Sequence, residues 1–169
     1  QPPAPIQPST IGQPAPPPGA GDDPLLGRVI HGQYRLVRKL GEGGYGAVYE
    51  AKDVHLERRV AIKIMLQSRA QSREYVAKFL REARTAAQLS HPNVVAVHGV
   101  GFDRDSGVHF LAMEYVEGRT FHDILQERGP LPAEEACGLI IQSCRGLHAA
   151  HERNIIHRDI KPGNLMLTP

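Results

Sequence analysis

Gly41-Glu-Gly-Gly-Tyr-Gly-Ala-Val48 is the stretch on which the fold turns, a G-x-G-x-x-G-x-V pattern. A dinucleotide-binding fold needs a helix opening directly after such glycines, its N-terminus facing a pyrophosphate. Here Gly46 leads instead into Ala47-Val-Tyr-Glu-Ala51, a strand-like run, and Tyr34-Arg-Leu-Val-Arg-Lys-Leu40 before it also reads as a strand. The glycines are then the bend of a hairpin. Backbone N–H groups unshielded by side chains can come down onto phosphate oxygens. An ordinary Gly-rich hairpin has the same sequence, so the neighbouring segments decide between the two.

Working outward, Val60-Ala-Ile-Lys-Ile-Met-Leu66 reads as a third strand. Side chains alternate along it, so Ala61 and Lys63 share a face, and a buried lysine needs an anionic partner. Val76, Phe79, Leu80, Ala83, Ala86, Ala87 and Leu89 recur at helical spacing, and that helix ends before His91-Pro92-Asn93. Glu82 follows Phe79 by three positions and precedes Ala86 by four, which sets it on or beside the apolar stripe. Segments 94–100 and 108–116 read as strands four and five across the turn-prone Asp103-Arg-Asp-Ser-Gly107. Phe121–Arg128 is a short helix and Pro132–Glu152 a long one, with Ala136, Leu139, Ile140, Ser143, Leu147 and Ala150 as its expected buried stripe. A short link, Ile155-Ile156, then leads to His157-Arg-Asp-Ile-Lys-Pro-Gly-Asn164, followed by the apolar run Leu165-Met-Leu167.

Val60-Ala-Ile-Lys63 reproduces the V-A-I-K strand of protein kinases, and residues 157–164 fit H-R-D-x-x-x-x-N. On these motifs the chain resembles the protein kinase superfamily, serine/threonine type, and in its general look the bacterial eukaryotic-like (Hanks-type) kinases. The resemblance spans Tyr34 to Leu167. It implies an α+β, two-lobed fold: a five-stranded antiparallel N-lobe with one helix, then the first helices and catalytic loop of a mainly helical C-lobe. It also implies ATP and Mg2+ as cofactors and a protein serine or threonine as acceptor. The nucleotide would lie against Leu40, Gly41, Glu42, Gly43, Gly44, Tyr45, Gly46, Ala47, Val48, Ala61 and Lys63. Backbone groups of Glu114 and Val116, at the hinge Met113-Glu-Tyr-Val116, would meet the adenine edge, with Met113 as gatekeeper and Met166 closing the pocket from below. Glu82 would pair with Lys63. Asp159 would orient the substrate hydroxyl, Lys161 would steady the transferred phosphoryl group, and Asn164 would hold a magnesium ion. Lys161-Pro162 matches the serine/threonine class, and Ile160 and Gly163 depart from the commonest loop without touching a charged catalytic position. His157 would pack under the loop rather than act as base, and Arg158 would meet a phosphate on an activation loop.

Composition sets the surroundings. The 169 residues are 41% hydrophobic, with 20 basic and 18 acidic side chains and a formal net charge of +2. No broad field for nucleic acid or anionic lipid is implied, so an anion must be held locally. No apolar run approaches the ~20 residues of a membrane span. Cys137 and Cys144 are seven positions apart, roughly 10 Å on a helix and too far for a disulfide, which suits a reducing cytoplasmic setting. A membrane anchor elsewhere in a parent protein is compatible with this. Cys144, His148 and His151 could be drawn as a metal face, but a core-facing stripe is the preferred reading.

Nine of the fourteen prolines fall at or before Pro24, so residues 1–27 read as a disordered Pro-rich linker. Residues 28–169 read as a partial kinase domain, 28–116 the N-lobe and 117–169 the start of the C-lobe. The absence of an initiator Met and of Asp-Phe-Gly or Ala-Pro-Glu gives the expectation of a fragment, inactive and poorly folded in its second half. A pseudokinase that binds nucleotide without catalysis is the alternative, and a small-molecule kinase of the same fold a third reading.

Overall fold

Alternation along the central strands sorts their side chains into two faces, and this sorting builds the site. The computed structural model describes residues 23–44 and 46–169. The expected linker up to position 22, and Tyr45, lie outside the described residues. Six strands form one antiparallel sheet: Val29–Ile30 (β1), Tyr34–Gly43 (β2), Gly46–Asp53 (β3), Arg59–Met65 (β4), Val97–Asp103 (β5) and Val108–Glu114 (β6). Their spatial order is β1-β2-β3-β4-β6-β5. Five strands were expected. The addition is β1, only two residues long and lacking any run of alternating apolar residues. The fourth expected strand also moves toward the C-terminus, because residues 91–94 form a turn closed by Val94 N–H donating to His91 O at 3.0 Å.

One face of the sheet is the core. Leu36, Tyr49, Ala51, Val60, Ile62, Ile64, Phe110 and Ala112 pack there with Ile30 and Tyr34. Leu25 and Leu26 lie against the same cluster, so packing begins before the boundary at 28 that composition suggests. Two buried carboxylates tie the loops. Asp53 accepts from Gln33 Nε2 and from the amides of His55 and Leu56 at 3.0–3.1 Å. Asp103 accepts from the His31 amide at 2.8 Å and the Ser106 amide at 2.9 Å, pinning the β1–β2 turn to the β5–β6 turn. Burial pushes the Asp53 carboxyl up, but its hydrogen bonds prevail and hold it below the usual carboxylate range.

Helices follow. Gln67–Ala70 (α1) is a single turn, and Arg73–Ala86 (α2) is capped by Ser72, whose Oγ accepts from the Tyr75 amide at 3.3 Å. Ala83 is the buried residue of α2. Arg119–Thr120 (β7) leads into Phe121–Arg128 (α3), where Thr120 accepts from the Asp123 amide at 3.1 Å. Ala133–His151 (α4) is tied to α3 by Arg128, whose two terminal nitrogens meet both oxygens of Glu135 at 2.9 and 3.0 Å. Met166–Leu167 (β8) pairs with β7, giving the expected short strand a partner.

The stripe of α4 is only partly as expected. Gly146 and Ala150 are buried, whereas Ile140 is 50% exposed and Ile141 beside it 52%. Periodicity names the apolar positions, but α4 approaches the 93–94 loop at Gly146, and Ile140 and Ile141 stay at the surface. Cys144 and His148 also lie at the surface rather than in a core, His148 beside Glu152 at 3.6 Å. Among the described residues, no helix is long and apolar enough to cross a membrane.

Candidate functional site

The face of the sheet opposite the core carries the site. Because Val60, Ile62 and Ile64 take the core side, Arg59, Ala61 and Lys63 form a row on the other. Lys63 stands opposite Val48 on β3 and Leu111 on β6, and Ala61 opposite Glu50 and Met113. Val48, Ala61, Lys63 and Met113 therefore line one surface beneath the glycine hairpin.

The glycines of that hairpin differ in their reasons. At Gly46, with φ at 150°, a Cβ would sit 2.1 Å from the Ile64 carbonyl oxygen, so close approach to β4 demands glycine. At Gly41, Gly43 and Gly44 a Cβ would meet nothing within 4 Å. Bare backbone there faces open space, as a phosphate-covering loop requires. Leu40 is 41% exposed. Glu42 lies at the surface, paired with Lys39, and Ala47 belongs to the core cluster.

Lys63 is half-buried. Desolvation lowers its pKa, and of the charges that oppose this Asp159 is the strongest, followed by Glu82. The fold thus brings the strand lysine under the influence of the loop aspartate, far away in sequence. Glu82 lies at the surface of α2, its side chain 60% exposed and Lys78 3.9 Å away, while its charge favours the ammonium of Lys63. Helical spacing put it beside the stripe, but the buried position is its neighbour Ala83.

The catalytic-type loop is held by its own side chains. Asn164 Nδ2 donates to the Asp159 carbonyl at 2.7 Å and to Asp159 Oδ2 at 3.0 Å. Lys161 Nζ lies 3.0 Å from the same carboxylate. Lys161 first, then Asn164, holds the Asp159 carboxyl below its ordinary value, so it stays an anion at neutral pH. His157 is exposed rather than packed beneath the loop, yet its role is structural: Nδ1 accepts from the Asp159 amide at 3.3 Å. The turn Pro162–Asn164 sets Asn164 back against Asp159, its amide donating to the Lys161 carbonyl at 2.9 Å. Arg158 sits at φ 63°, a left-handed conformation uncommon outside glycine, which the residue types do not signal.

At the hinge, Glu114 donates its amide to Ala96 O at 2.8 Å, so toward a base it has a carbonyl rather than an N–H to offer. Met166 is 41% exposed in β8. A family model described as the protein kinase domain matches residues 34–169. The chain belongs to the protein kinase family. It is 40% identical over 143 residues to the serine/threonine-protein kinase PrkC of Bacillus subtilis, covering 85% of this chain and 22% of PrkC. With the serine/threonine-protein kinase PknA of Mycobacterium tuberculosis it shares 38% identity over 149 residues, 86% of this chain and 35% of that protein. The crystal structure of the M. tuberculosis PknI kinase domain superposes with a TM-score of 0.73 at 33% identity, over 84% of this chain and 58% of that one. The relatives are bacterial Hanks-type kinases, and this chain spans 22% of the length of PrkC and 35% of that of PknA.

Two features of this kinase chain escape motif reading. A Cβ at Gly118, just past the hinge, would fall 2.2 Å from the Leu167 carbonyl oxygen, so that glycine lets β8 approach. A glycine two residues past the expected strand end at Val116 was the available signal. Arg59 and Glu50 form an ion pair beside the hinge, with Nε and Oε1 2.9 Å apart, and only their positions on facing strands link them.

Proposed function

We propose that the protein carrying this chain is an ATP-dependent serine/threonine protein kinase. The observation that carries the reading is the grouping of Asp159, Lys161 and Asn164 in one hydrogen-bonded loop whose anion acts on Lys63 of the sheet. In this role the bare backbone of Gly41, Gly43 and Gly44 covers the phosphates. Val48, Ala61 and Met166 sandwich the adenine, and Glu114 and Val116 meet its edge. Lys63 neutralises phosphate charge, and its partly desolvated ammonium acts more strongly than one in water. Asp159, kept ionised, accepts a hydrogen bond from the attacking hydroxyl and takes its proton. Lys161, already beside Asp159, neutralises charge on the transferred group.

Asn164 suits a magnesium ion. Both hydrogen bonds that its amide makes to Asp159 use Nδ2, and the remaining carbonyl oxygen is the hard donor such an ion prefers. An ion held by that oxygen would neutralise phosphate charge. The sequence contains no Asp-Phe-Gly, so these 169 residues by themselves are proposed to be inactive.

The exposed side chain of Glu82 favours a second reading, a nucleotide-binding module without catalysis. Transfer from radiolabelled ATP to serine-, threonine- and tyrosine-containing protein substrates by the full-length protein separates the two. The kinase reading expects labelled serine or threonine, lost in Lys63→Met. Nucleotide binding without transfer to any of them establishes the other, and labelling of a metabolite alone overturns both.

A further inference from the structure

Outside the motif residues, a group of charged side chains stands at the hinge end of the nucleotide-facing row. Arg59, first residue of β4, makes three contacts. Its Nε lies 2.9 Å from Glu50 Oε1, a terminal nitrogen pairs with Glu117, and its guanidinium lies 3.9 Å from the Tyr115 ring centroid. Arg38 of β2 backs this up, donating to Tyr115 Oη at 3.2 Å. Its Nε also lies 2.7 Å from Glu50 Oε2, out of line for a hydrogen bond, so that oxygen is held by charge. The Glu50 side chain is only 12% exposed, and a carboxylate so enclosed requires cations.

Tyr115 and Glu117 flank Val116, and Arg59 touches both. We infer that Arg59 is a positioning residue for the nucleotide: it clamps the Val116 main chain against β4 from either side and thereby sets affinity for the base. A planar guanidinium can stack on the ring while donating in its plane to two carboxylates, which an ammonium cannot. The pair with Glu117 lies at the surface and adds little to stability, so removing it alone acts on binding rather than on folding, whereas removing Arg59 also takes a cation from the enclosed Glu50. The inference rests on the reading of the hinge given under the proposed function.

The test is steady-state phosphoryl transfer by the full-length protein, with melting temperatures recorded alongside. Arg59→Ala is expected to raise KM for ATP about fivefold, the worth of one cation–π contact with its ion pair, and to leave kcat within about twofold. Arg59→Lys recovers only part of this, and Glu117→Gln, a surface change that leaves the fold intact, moves KM the same way by about twofold. An unchanged KM in both Arg59→Ala and Glu117→Gln overturns the inference, as does an equal loss in kcat with a lowered melting temperature. Lys63→Met, run in parallel, reports on the functional reading separately: transfer that persists in that variant sinks the reading, whatever Arg59 does.

Discussion

Leu36, Val60, Ile62 and Ala112 in the sheet are at most 1% exposed, whereas Ile140, Ile141 and Ile156 in the helical stretch stand 50, 52 and 63% exposed. The sheet finds its partners among neighbouring strands, and its core closes locally. The helical stretch meets the sheet through few contacts and leaves apolar side chains uncovered among the described residues. The two halves of the candidate site inherit this difference. Lys63 is fixed by a packed strand, and Asp159 by the hydrogen bonds and charges of its own loop.

The contrast is sharpest in stability. Ile62→Ala removes a fully buried side chain and is expected to cost about 3 kcal/mol in urea denaturation. Ile140→Ser on the half-exposed helix face should stay within about 0.5 kcal/mol. Comparable costs would break the comparison, since they would mean that Ile140 is covered.

Two glycines of α4 probe the join between the regions. A Cβ at Gly146 would lie 2.7 Å from Asn93 O and 3.1 Å from Val94 Cγ2, while at Gly138 it meets nothing within 4 Å. Gly146→Ala should destabilise by about 1–3 kcal/mol through overpacking. Gly138→Ala should stabilise by up to about 1 kcal/mol through helix propensity. Equal effects in thermal melts would show that α4 does not seat on the 93–94 loop.

The smallest expected effect is electrostatic. The Asp159 carboxyl is held below its ordinary pKa by Lys161 and Asn164. A depressed carboxylate contributes above its ordinary value and loses that contribution as pH falls through the lowered one. Lys161→Ala should shift the NMR titration of the Asp159 carboxyl upward, toward the ordinary value. A titration that does not move would remove Lys161 as the cause.

Much of this was readable beforehand because alternation and glycine spacing are local signals. The hairpin, the row Ala61–Lys63 and the helix Phe121–Arg128 follow from periods of two and 3.6. β1 was not readable, since two residues carry no period. The exposure of Glu82 depends on how α2 rolls against the sheet, which a spacing that fits both Glu82 and Ala83 does not resolve. The clamp of Arg59 on Tyr115 and Glu117 joins a strand to the hinge, a pairing that only the folded register provides.

The central claim is that Asp159, held by its loop, acts on the hydroxyl that attacks the nucleotide gripped by Lys63. Single-turnover transfer from ATP to a serine-containing protein, measured in the full-length protein with Asp159→Asn, tests it most directly. The account predicts a loss of about 100-fold or more in the transfer rate with nucleotide binding retained. Transfer at the unmodified rate would contradict it.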